Sequence, residues 1–295
     1  MTLAVSNRVV TLDGARLVDD LSLQLDAGQV HGVVGESGSG KTIAALSVLG
    51  LVPEGCEVAG TVTLDGQPLQ GRRGVAMVLQ EPLSALNPVL SIGAQLRETL
   101  AVHHGQPSNA AALLAEVGLG DAEALLRAYP HQLSGGQRQR VAIACALAAA
   151  PKVLIADEPT TALDASMKLV VLKLFAALAK QRRVAVWLIT HDLLSLRGVA
   201  DRLTVMYAGR AVEQGAAADV LDRPRHPYTH ALLAAAPSRT APGGALPVIE
   251  GQPPSPREAL PGCRFQPRCA RRIDRCAAER PPLLEGVACH VAGAA

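Results

Sequence analysis

The stretch VHGVVGESGSGKTIAALSVLGL, residues 30–51, decides the fold of this 295-residue chain. A short apolar strand leads into a glycine-rich loop and then an apolar helix, and the loop fits the phosphate-binding pattern G-x-x-x-x-G-K-[ST]. Its glycines let backbone N–H groups turn toward phosphates at a helix N-terminus, whose dipole favours negative charge. We therefore expect nucleotide phosphates at the loop residues Gly35, Glu36, Ser37, Gly38, Ser39, Gly40, Lys41 and Thr42. Lys41 supplies positive charge, and the Thr42 hydroxyl can ligate Mg²⁺.

Three more apolar runs, residues 75–79, 153–157 and 184–190, are too continuous for half-exposed strands. Together with 30–34 they predict buried parallel strands in an α/β fold with helices packed on the sheet. Residues of about 90–150 have helical character and predict an inserted helical subdomain. Residues 237–262 are rich in Pro and Gly, which is typical of a linker. We therefore divide the chain into a nucleotide-binding domain, 1–235, and a linker with a cysteine-containing extension, 236–295.

Composition limits the choice of partner and compartment. The chain has 28 Lys and Arg against 26 Asp and Glu, a formal net charge of +2. This near-balance gives no reason to expect binding to nucleic acid or to a membrane surface. Neither a secretory leader nor a run of about 18 uncharged apolar residues is found. We expect a cytosolic protein, in which clustered cysteines more often hold a metal or do redox chemistry than form disulfides.

Two acidic residues and a histidine end the later strands. Asp157 and Glu158 follow the run VLIAD, at the edge where a parallel sheet presents its ligand site. Asp157 is a candidate magnesium ligand, and Glu158 is the candidate general base for the attacking water. His191 follows the last strand and is expected to contact the γ-phosphate and to hold Glu158 and the water. Two solvated acids or a structural histidine would give the same strings, but the phosphate loop upstream favours the catalytic interpretation.

The segment LSGGQRQR, residues 133–140, is not needed to bind the phosphates of a single nucleotide, because the loop 35–42 already does so. Ser134, Gly135 and Gly136 open a second helix and form a second anion-binding surface. Such a surface needs a nucleotide supplied from elsewhere.

At this point the chain resembles the ATP-binding subunits of ABC transporters over about residues 1–235. The phosphate loop, Gln80 in VLQEP, LSGGQ, VLIADEP, the ALD of 162–164 and His191 occur in that family's order. The resemblance implies a P-loop NTPase fold and ATP bound between two subunits that face head to tail, with Gln137 completing the LSGGQ surface. It also implies that Gln80 contacts Mg²⁺, takes part in catalysis and connects the site to the membrane subunits, and that Asp164 bridges the two sites.

Residues 80–88, 129–140 and 226–237 look like the oligopeptide, dipeptide and nickel importer branch. That resemblance implies a heterodimer with a second related ATPase, two permease subunits, indirect work with an extracytoplasmic solute-binding protein, and a peripheral position on the cytoplasmic face of the inner membrane. The cysteine-containing C-terminal part, residues 236–295, which we call the tail, favours a peptide importer, with a nickel or metal-chelate importer as the alternative.

An ABC ATPase of another class, in DNA repair or translation, is the alternative outside transport. A repair ATPase would insert a long coiled coil between Gln80 and Ser134, where only 53 residues stand, and a translation factor would carry two phosphate loops. Neither feature is present in the sequence.

Adenine recognition is where this sequence departs from the family. The family usually places an aromatic residue ahead of the phosphate loop to stack on adenine, but residues 1–30 contain no Phe, Tyr or Trp. Counting back from Asp20 puts Leu12 at that position. Base–aromatic stacking is worth about 1–3 kcal/mol, so we expect ATP binding to be weaker by about tenfold.

Four cysteines in the tail form the last candidate site: Cys263, Cys269, Cys276 and Cys289, separated by five, six and twelve residues. These spacings contain no C-x₂-C unit of the kind zinc sites favour, and they fit neither common ferredoxin spacing. The resemblance to peptide-importer ATPases favours a four-iron four-sulfur cluster, with zinc or unligated thiols as alternatives. Six Arg against two acids in 263–282 would offset the negative charge of such a cluster.

Overall fold

A computed structural model describes residues 2–81, 85–104, 109–161, 163–236, 248–258 and 260–292. Residues 82–84 of the 80–88 motif, Ala162 of the 162–164 motif, Pro237 of the 226–237 motif and residues 237–247 of the expected linker lie outside this set. The chain forms two compact units. Unit 1 comprises residues 1–26, 30–71 and 189–295, and unit 2 comprises residues 27–29 and 72–188.

The strands, in chain order, are β1 (Thr2–Leu12), β2 (Ala15–Asp26), β3 (Val30–Val34), β4 (Cys56–Leu64), β5 (Gln67–Pro68), β6 (Val75–Val78), β7 (Val153–Asp157), β8 (Ala185–Thr190), β9 (Arg202–Tyr207) and β10 (Arg210–Ala216). The helices are α1 (Lys41–Leu49), α2 (Ile92–His104), α3 (Ala110–Glu116), α4 (Ala122–Arg127), α5 (Gly135–Ala148), α6 (Ala165–Arg182), α7 (Ala217–Asp222), α8 (Pro227–Ala234) and α9 (Asp274–Ala278).

Unit 1 contains an antiparallel sheet that the sequence interpretation did not predict. Its strand order is β2-β1-β4-β5. In β2 the apolar residues Leu21, Leu23 and Leu25 are buried and alternate with polar ones, because successive side chains of a strand point to opposite faces. The pattern is therefore that of a strand with one solvated face, unlike the continuous apolar runs that predicted the parallel strands.

The rest of unit 1 carries the phosphate loop. Strand β3 pairs in parallel with β9, and β9 pairs antiparallel with β10. All five residues of β3 are buried, as its apolar run predicts, and the chain then turns through the loop into α1. The C-terminal tail lies along β10: Gln214 N donates to Gly286 O at 2.7 Å, and Ala288 N donates to Val212 O at 2.9 Å.

Unit 2 contains the predicted strands β6 and β7, which pair in parallel, with β8 next to β7. Every residue of β7 and β8 is buried, which is why their sequences are continuously apolar. The segment of predicted helical character, about 90–150, contains α2, α3, α4 and α5. In the part of the chain that the structure describes, no helix has the length and apolar character needed to cross a membrane.

Candidate nucleotide-binding site

The phosphate loop of unit 1 folds around the ammonium group of Lys41. Its Nζ donates to Gly35 O at 2.8 Å and to Glu36 O at 3.0 Å, and the side chain is buried. Gly40 has a φ of 96°, and a Cβ there would lie 2.6 Å from Leu17 O. Only glycine fits such a position, because a side chain would meet both backbone strain and a backbone oxygen. The loop therefore has the conformational demands that its glycines predicted.

The C-terminal tail holds the outer side of this loop at Glu36. Arg268 binds the Glu36 carboxylate with both Nη atoms, at 2.7 and 3.1 Å, and its side chain is only 4% exposed. The hydrogen bond to Glu36 is the main reason why the pKa of Arg268 is raised. Glu36 N in turn donates to Tyr228 Oη at 2.9 Å. Sequence reasoning missed both contacts, since 192 and 232 residues separate the partners and no local pattern connects them.

An aromatic cluster packs beneath these contacts. The ring of Phe265, in the tail, lies 5.2 Å from that of Tyr207 in an edge-on arrangement and 5.4 Å from that of Tyr228. All three side chains are almost fully buried. Burial is also the first cause of the raised pKa values of the two tyrosines. The first part of the tail therefore packs into the core of unit 1.

A buried carboxylate fastens the tail to the same unit. Asp19 is 2% exposed and accepts hydrogen bonds from Arg210 and from Arg264 of the tail, the latter at 3.0 Å. Arg16 adds a third bond at 3.1 Å. The guanidinium groups compensate the negative charge, which would otherwise be costly away from water.

The two predicted acidic residues stand at the end of β7 in unit 2. Asp157 is 3% exposed. Glu158 has a left-handed φ of 45°, and the Thr161 hydroxyl donates to Glu158 O at 3.2 Å and to Glu158 Oε2 at 3.3 Å. Gln80, in the same unit, is exposed.

The remaining residues predicted to act on the γ-phosphate and magnesium belong to unit 1. Thr42 is exposed at the start of α1, and His191 is exposed directly after β8. Next to His191, Asp192 N donates to Thr190 Oγ1 at 3.1 Å and so begins the turn that follows the strand. The catalytic roles of these residues stay predictions.

The LSGGQ segment begins α5 with a reciprocal cap. Gln137 N donates to Ser134 Oγ at 3.2 Å, and Ser134 N donates to Gln137 Oε1 at 2.9 Å. This capping box satisfies N–H groups that a helix start leaves unbonded. A Cβ at Gly136 would lie 2.7 Å from Met167 Cε, whereas one at Gly135 would meet no atom closer than 3.9 Å. These residues thus already order the helix end in the single chain.

Asp164, expected to bridge two nucleotide sites, caps α6 in this structure. Its Oδ1 accepts from Ser166 N and Met167 N, both at 3.0 Å, and from the Ser166 hydroxyl. The bond from the Ser166 hydroxyl is the largest cause of the lowered pKa of Asp164. The bridging role stays a prediction.

Leu12, the residue counted into the adenine position, ends β1. It is half-buried, faces Cys56 across the sheet and lies 3.5 Å from a Cβ placed at Gly55. Leu17 of β2, by contrast, lines a cavity together with Ser37 and Ser39 of the phosphate loop. The contact of Leu12 with adenine stays a prediction.

The four tail cysteines interact electrostatically but do not form a ligand set. The pKa of Cys263 is raised to about 11, chiefly by burial, and the three other thiols contribute to that rise. Cys263 N donates to Cys276 O at 2.8 Å. Even so, no group of three or more His, Cys, Asp or Glu side chains that could hold a metal ion occurs among the described residues. The cluster and its zinc alternative therefore have no support in the described residues and stay predictions.

Comparison with known proteins decides the family. Residues 18–161 match the family described as ABC transporter, and residues 212–276 match the one described as oligopeptide/dipeptide transporter, C-terminal region. The oligopeptide transport ATP-binding protein AppD of Bacillus subtilis (strain 168) is 42% identical over 284 residues, which cover 90% of this chain and 87% of that relative. The chain belongs to the ATP-binding subunits of oligopeptide/dipeptide ABC transporters. The dipeptide transport ATP-binding protein DppD of Escherichia coli (strain K12) is also 42% identical, over 91% of this chain and 87% of its own length.

Solved structures agree with this family of ABC ATP-binding subunits. The cbiO1 protein of Clostridium perfringens, part of the ABC transporter complex cbiONQ, matches with a TM-score of 0.67 and 27% identity over 75% of this chain and 90% of that one. The predicted P-loop α/β fold is thereby confirmed. Membership in the family also makes this ABC subunit an ATPase.

Proposed function

We propose that the chain hydrolyses ATP to power the import of dipeptides or oligopeptides. The observation that carries the peptide assignment is the match of residues 212–276 to the oligopeptide/dipeptide C-terminal region, because that part of the chain lies outside the 18–161 match to ABC transporters in general. The relatives named for oligopeptide and dipeptide transport align over about nine-tenths of the chain and support it. No observation on the described residues favours the nickel or metal-chelate alternative.

In the proposed reaction, the loop residues of unit 1 bind the phosphates of ATP. Lys41 neutralises phosphate charge once its ammonium leaves the carbonyls of Gly35 and Glu36, which it contacts in the present structure. Exchanging two carbonyl partners for phosphate oxygens keeps the buried cation hydrogen-bonded throughout. The same carbonyls thus hold the lysine ready for the nucleotide.

Magnesium would be held by Thr42, Gln80 and Asp157, whose side chains all offer oxygen atoms, the donors that this cation prefers. When bound, the ion neutralises charge that develops on the phosphates. Glu158 would accept a proton from the attacking water, and its bond from Thr161 would orient the carboxylate. His191 would contact the γ-phosphate and position Glu158 and the water.

We propose that this subunit works as a heterodimer with a second related ATPase. Ser134, Gly135, Gly136 and Gln137 would close over the nucleotide of the partner, while Asp164 would connect the two sites. The capping box at Ser134 supports this, because it keeps the N-terminal amides of α5 ordered at a surface where an anion could dock. Two permease subunits would hold the pair at the cytoplasmic face of the inner membrane, and a solute-binding protein would deliver the peptide.

The decisive experiment on catalysis is Glu158→Gln. A carboxamide keeps the shape of the side chain but cannot accept the proton of the water, so steady-state ATP hydrolysis should fall by about a hundredfold or more while ATP binding is retained. Thr161→Ala is the matched control, since it removes only the hydroxyl that orients Glu158, and it should cost much less. A Glu158→Gln turnover within a few-fold of the wild type would rule out the general-base role.

The iron–sulfur cluster in the tail is kept as a prediction without a role in hydrolysis. Protein purified anaerobically should be brown and carry about four irons per chain, the content of a four-iron cluster. Cys269→Ser should reduce the visible absorption, whereas Cys56→Ser, outside the tail, should not. Colourless protein with one zinc per chain, from cells replete in iron, would contradict the cluster.

A further inference from the structure

Residues 248–256 of the tail, which we call the strap, are held against the phosphate loop by one side chain. Arg268 donates from Nη2 to Ile249 O at 2.9 Å and from Nε to Glu250 O at 3.0 Å, while its guanidinium also binds the Glu36 carboxylate. A single buried guanidinium therefore links the start of the strap to the loop. The five donors of an arginine in a fixed plane suit such a bridge, which a lysine could not reproduce.

A cavity of about 250 Å³ opens between the strap and the loop. Ser37, Gly38 and Ser39 line it on the loop side, Leu17 lines it from β2, and residues 253–256 line it from the strap. Those four strap residues are Pro253, Pro254, Ser255 and Pro256. Ser39 is 3% exposed, and its hydroxyl has no hydrogen-bond partner within the residues that the structure describes. The cavity thus has apolar rings on the strap side and residues of the phosphate loop on the other.

We propose that this cavity receives the nucleoside part of ATP and that the strap prolines form one wall of it. This proposal rests on ATP binding at the phosphate loop. The nucleoside is joined to the phosphates, so it must lie beside the residues that bind them, and Ser37, Gly38 and Ser39 belong to both surfaces. Proline rings present flat apolar faces with no rotamer freedom to lose, so they can pack on a base at low entropic cost.

The proposal accounts for the missing aromatic residue ahead of the loop. Residues 1–30 offer no aromatic ring, and Leu12 lies against Gly55. The strap supplies apolar surface from the far end of the sequence instead, and Arg268 sets its distance from the loop. Docking of the tail is therefore part of nucleotide binding in this subunit.

The test compares ligands with and without a nucleoside. The triple variant Pro253→Ala, Pro254→Ala, Pro256→Ala should bind ATP and ADP about three- to tenfold more weakly, the range for losing part of a base contact. Its affinity for inorganic tripolyphosphate should equal that of the wild type. Pro53→Ala, an exposed proline of unit 1 outside the cavity, is the matched control and should change neither affinity. Pro254→Ala alone, with circular dichroism to verify folding, should show a smaller loss in the same direction.

Three outcomes would count against the proposal. Equal weakening for ATP and tripolyphosphate would mean that the strap only supports the loop. Tighter ATP binding by the triple variant would mean that the strap covers the nucleotide site, and unchanged affinities would mean that it does not contact the nucleotide. If the wild type bound tripolyphosphate normally but hydrolysed no ATP with its partner, the proposed function would fail while the strap contact could still be measured.

Discussion

Acidification should lower the free energy of unfolding of this protein, in part through the buried histidine His226. The residue is 1% exposed, its ring lies 5.9 Å from that of Phe265 of the tail, and its Nδ1 accepts from Tyr228 N at 3.0 Å. Burial lowers the pKa of His226 from 6.5 to about 4. A histidine that is neutral when folded takes up protons on unfolding, so its contribution to stability is complete above pH 6.5 and is lost as the pH falls toward 4.

The size of the effect follows from that shift. Between the unfolded pKa of 6.5 and the folded pKa of about 4, each pH unit changes the free energy of unfolding by about 1.4 kcal/mol. Lowering the pH from 7.5 to 5.0 crosses part of that range and should remove about 2 kcal/mol through this residue. His31 has the same depressed pKa of about 4 and adds a similar loss. The two must therefore be separated by substitution.

The informative variant is His226→Asn. Asparagine is a good helix N-cap and can keep the bond from Tyr228 N without titrating. We expect urea denaturation of the full chain at pH 7.5 and 5.0 to show a pH-dependent loss about 2 kcal/mol smaller in the variant than in the wild type. His103→Asn, an exposed histidine of unit 2, should leave the wild-type difference unchanged. Equal pH losses in His226→Asn and the wild type would show that His226 is protonated without penalty.

Three other substitutions test separate parts of the structure. Lys41→Ala should weaken ATP binding itself by more than tenfold, which titration with a fluorescent nucleotide would measure; retained affinity would refute the role of the ammonium. Ser134→Arg should lower the hydrolysis rate at the partner's site more than at this chain's own site. Mixtures of the two ATPases in which only one of the two sites is able to hydrolyse ATP would measure each rate, and a larger loss at this chain's own site would argue against a composite site. Asp19→Ala should destabilise the fold by about 3 kcal/mol, because it leaves Arg210 and Arg264 without their carboxylate, and a thermal midpoint unchanged within about 1 °C would contradict this.

Sequence alone was sufficient where burial is symmetrical. Strands β3, β7 and β8 are buried along their whole length, so their apolar runs had one interpretation. The antiparallel sheet was missed for the opposite reason. In β4, residues 57–61 are all exposed and no residue of the strand is buried, so its sequence mixes polar and apolar residues and gives only a weak strand signal.

Sequence could not rank the arginines of the tail. All six in 263–282 looked equivalent and were expected to offset a cluster's charge. The structure separates them by partner: Arg264 binds Asp19, Arg268 binds Glu36, and Arg275 binds the exposed Glu279. The first two pairings join residues more than 200 positions apart, and such contacts depend on how the tail returns to β10, which no local pattern encodes.

The pairing of the tail with β10 also protects the protein against aggregation through its sheet edge. Strand β10 ends its sheet, and an uncovered edge offers a row of free N–H and C=O groups on which another chain can add a strand. Gly286 and Ala288 occupy part of that row by bonding Gln214 and Val212. Proteolysis or premature termination upstream of residue 286 would therefore do more than shorten the subunit. It would leave the edge of β10 unpaired and favour aggregation.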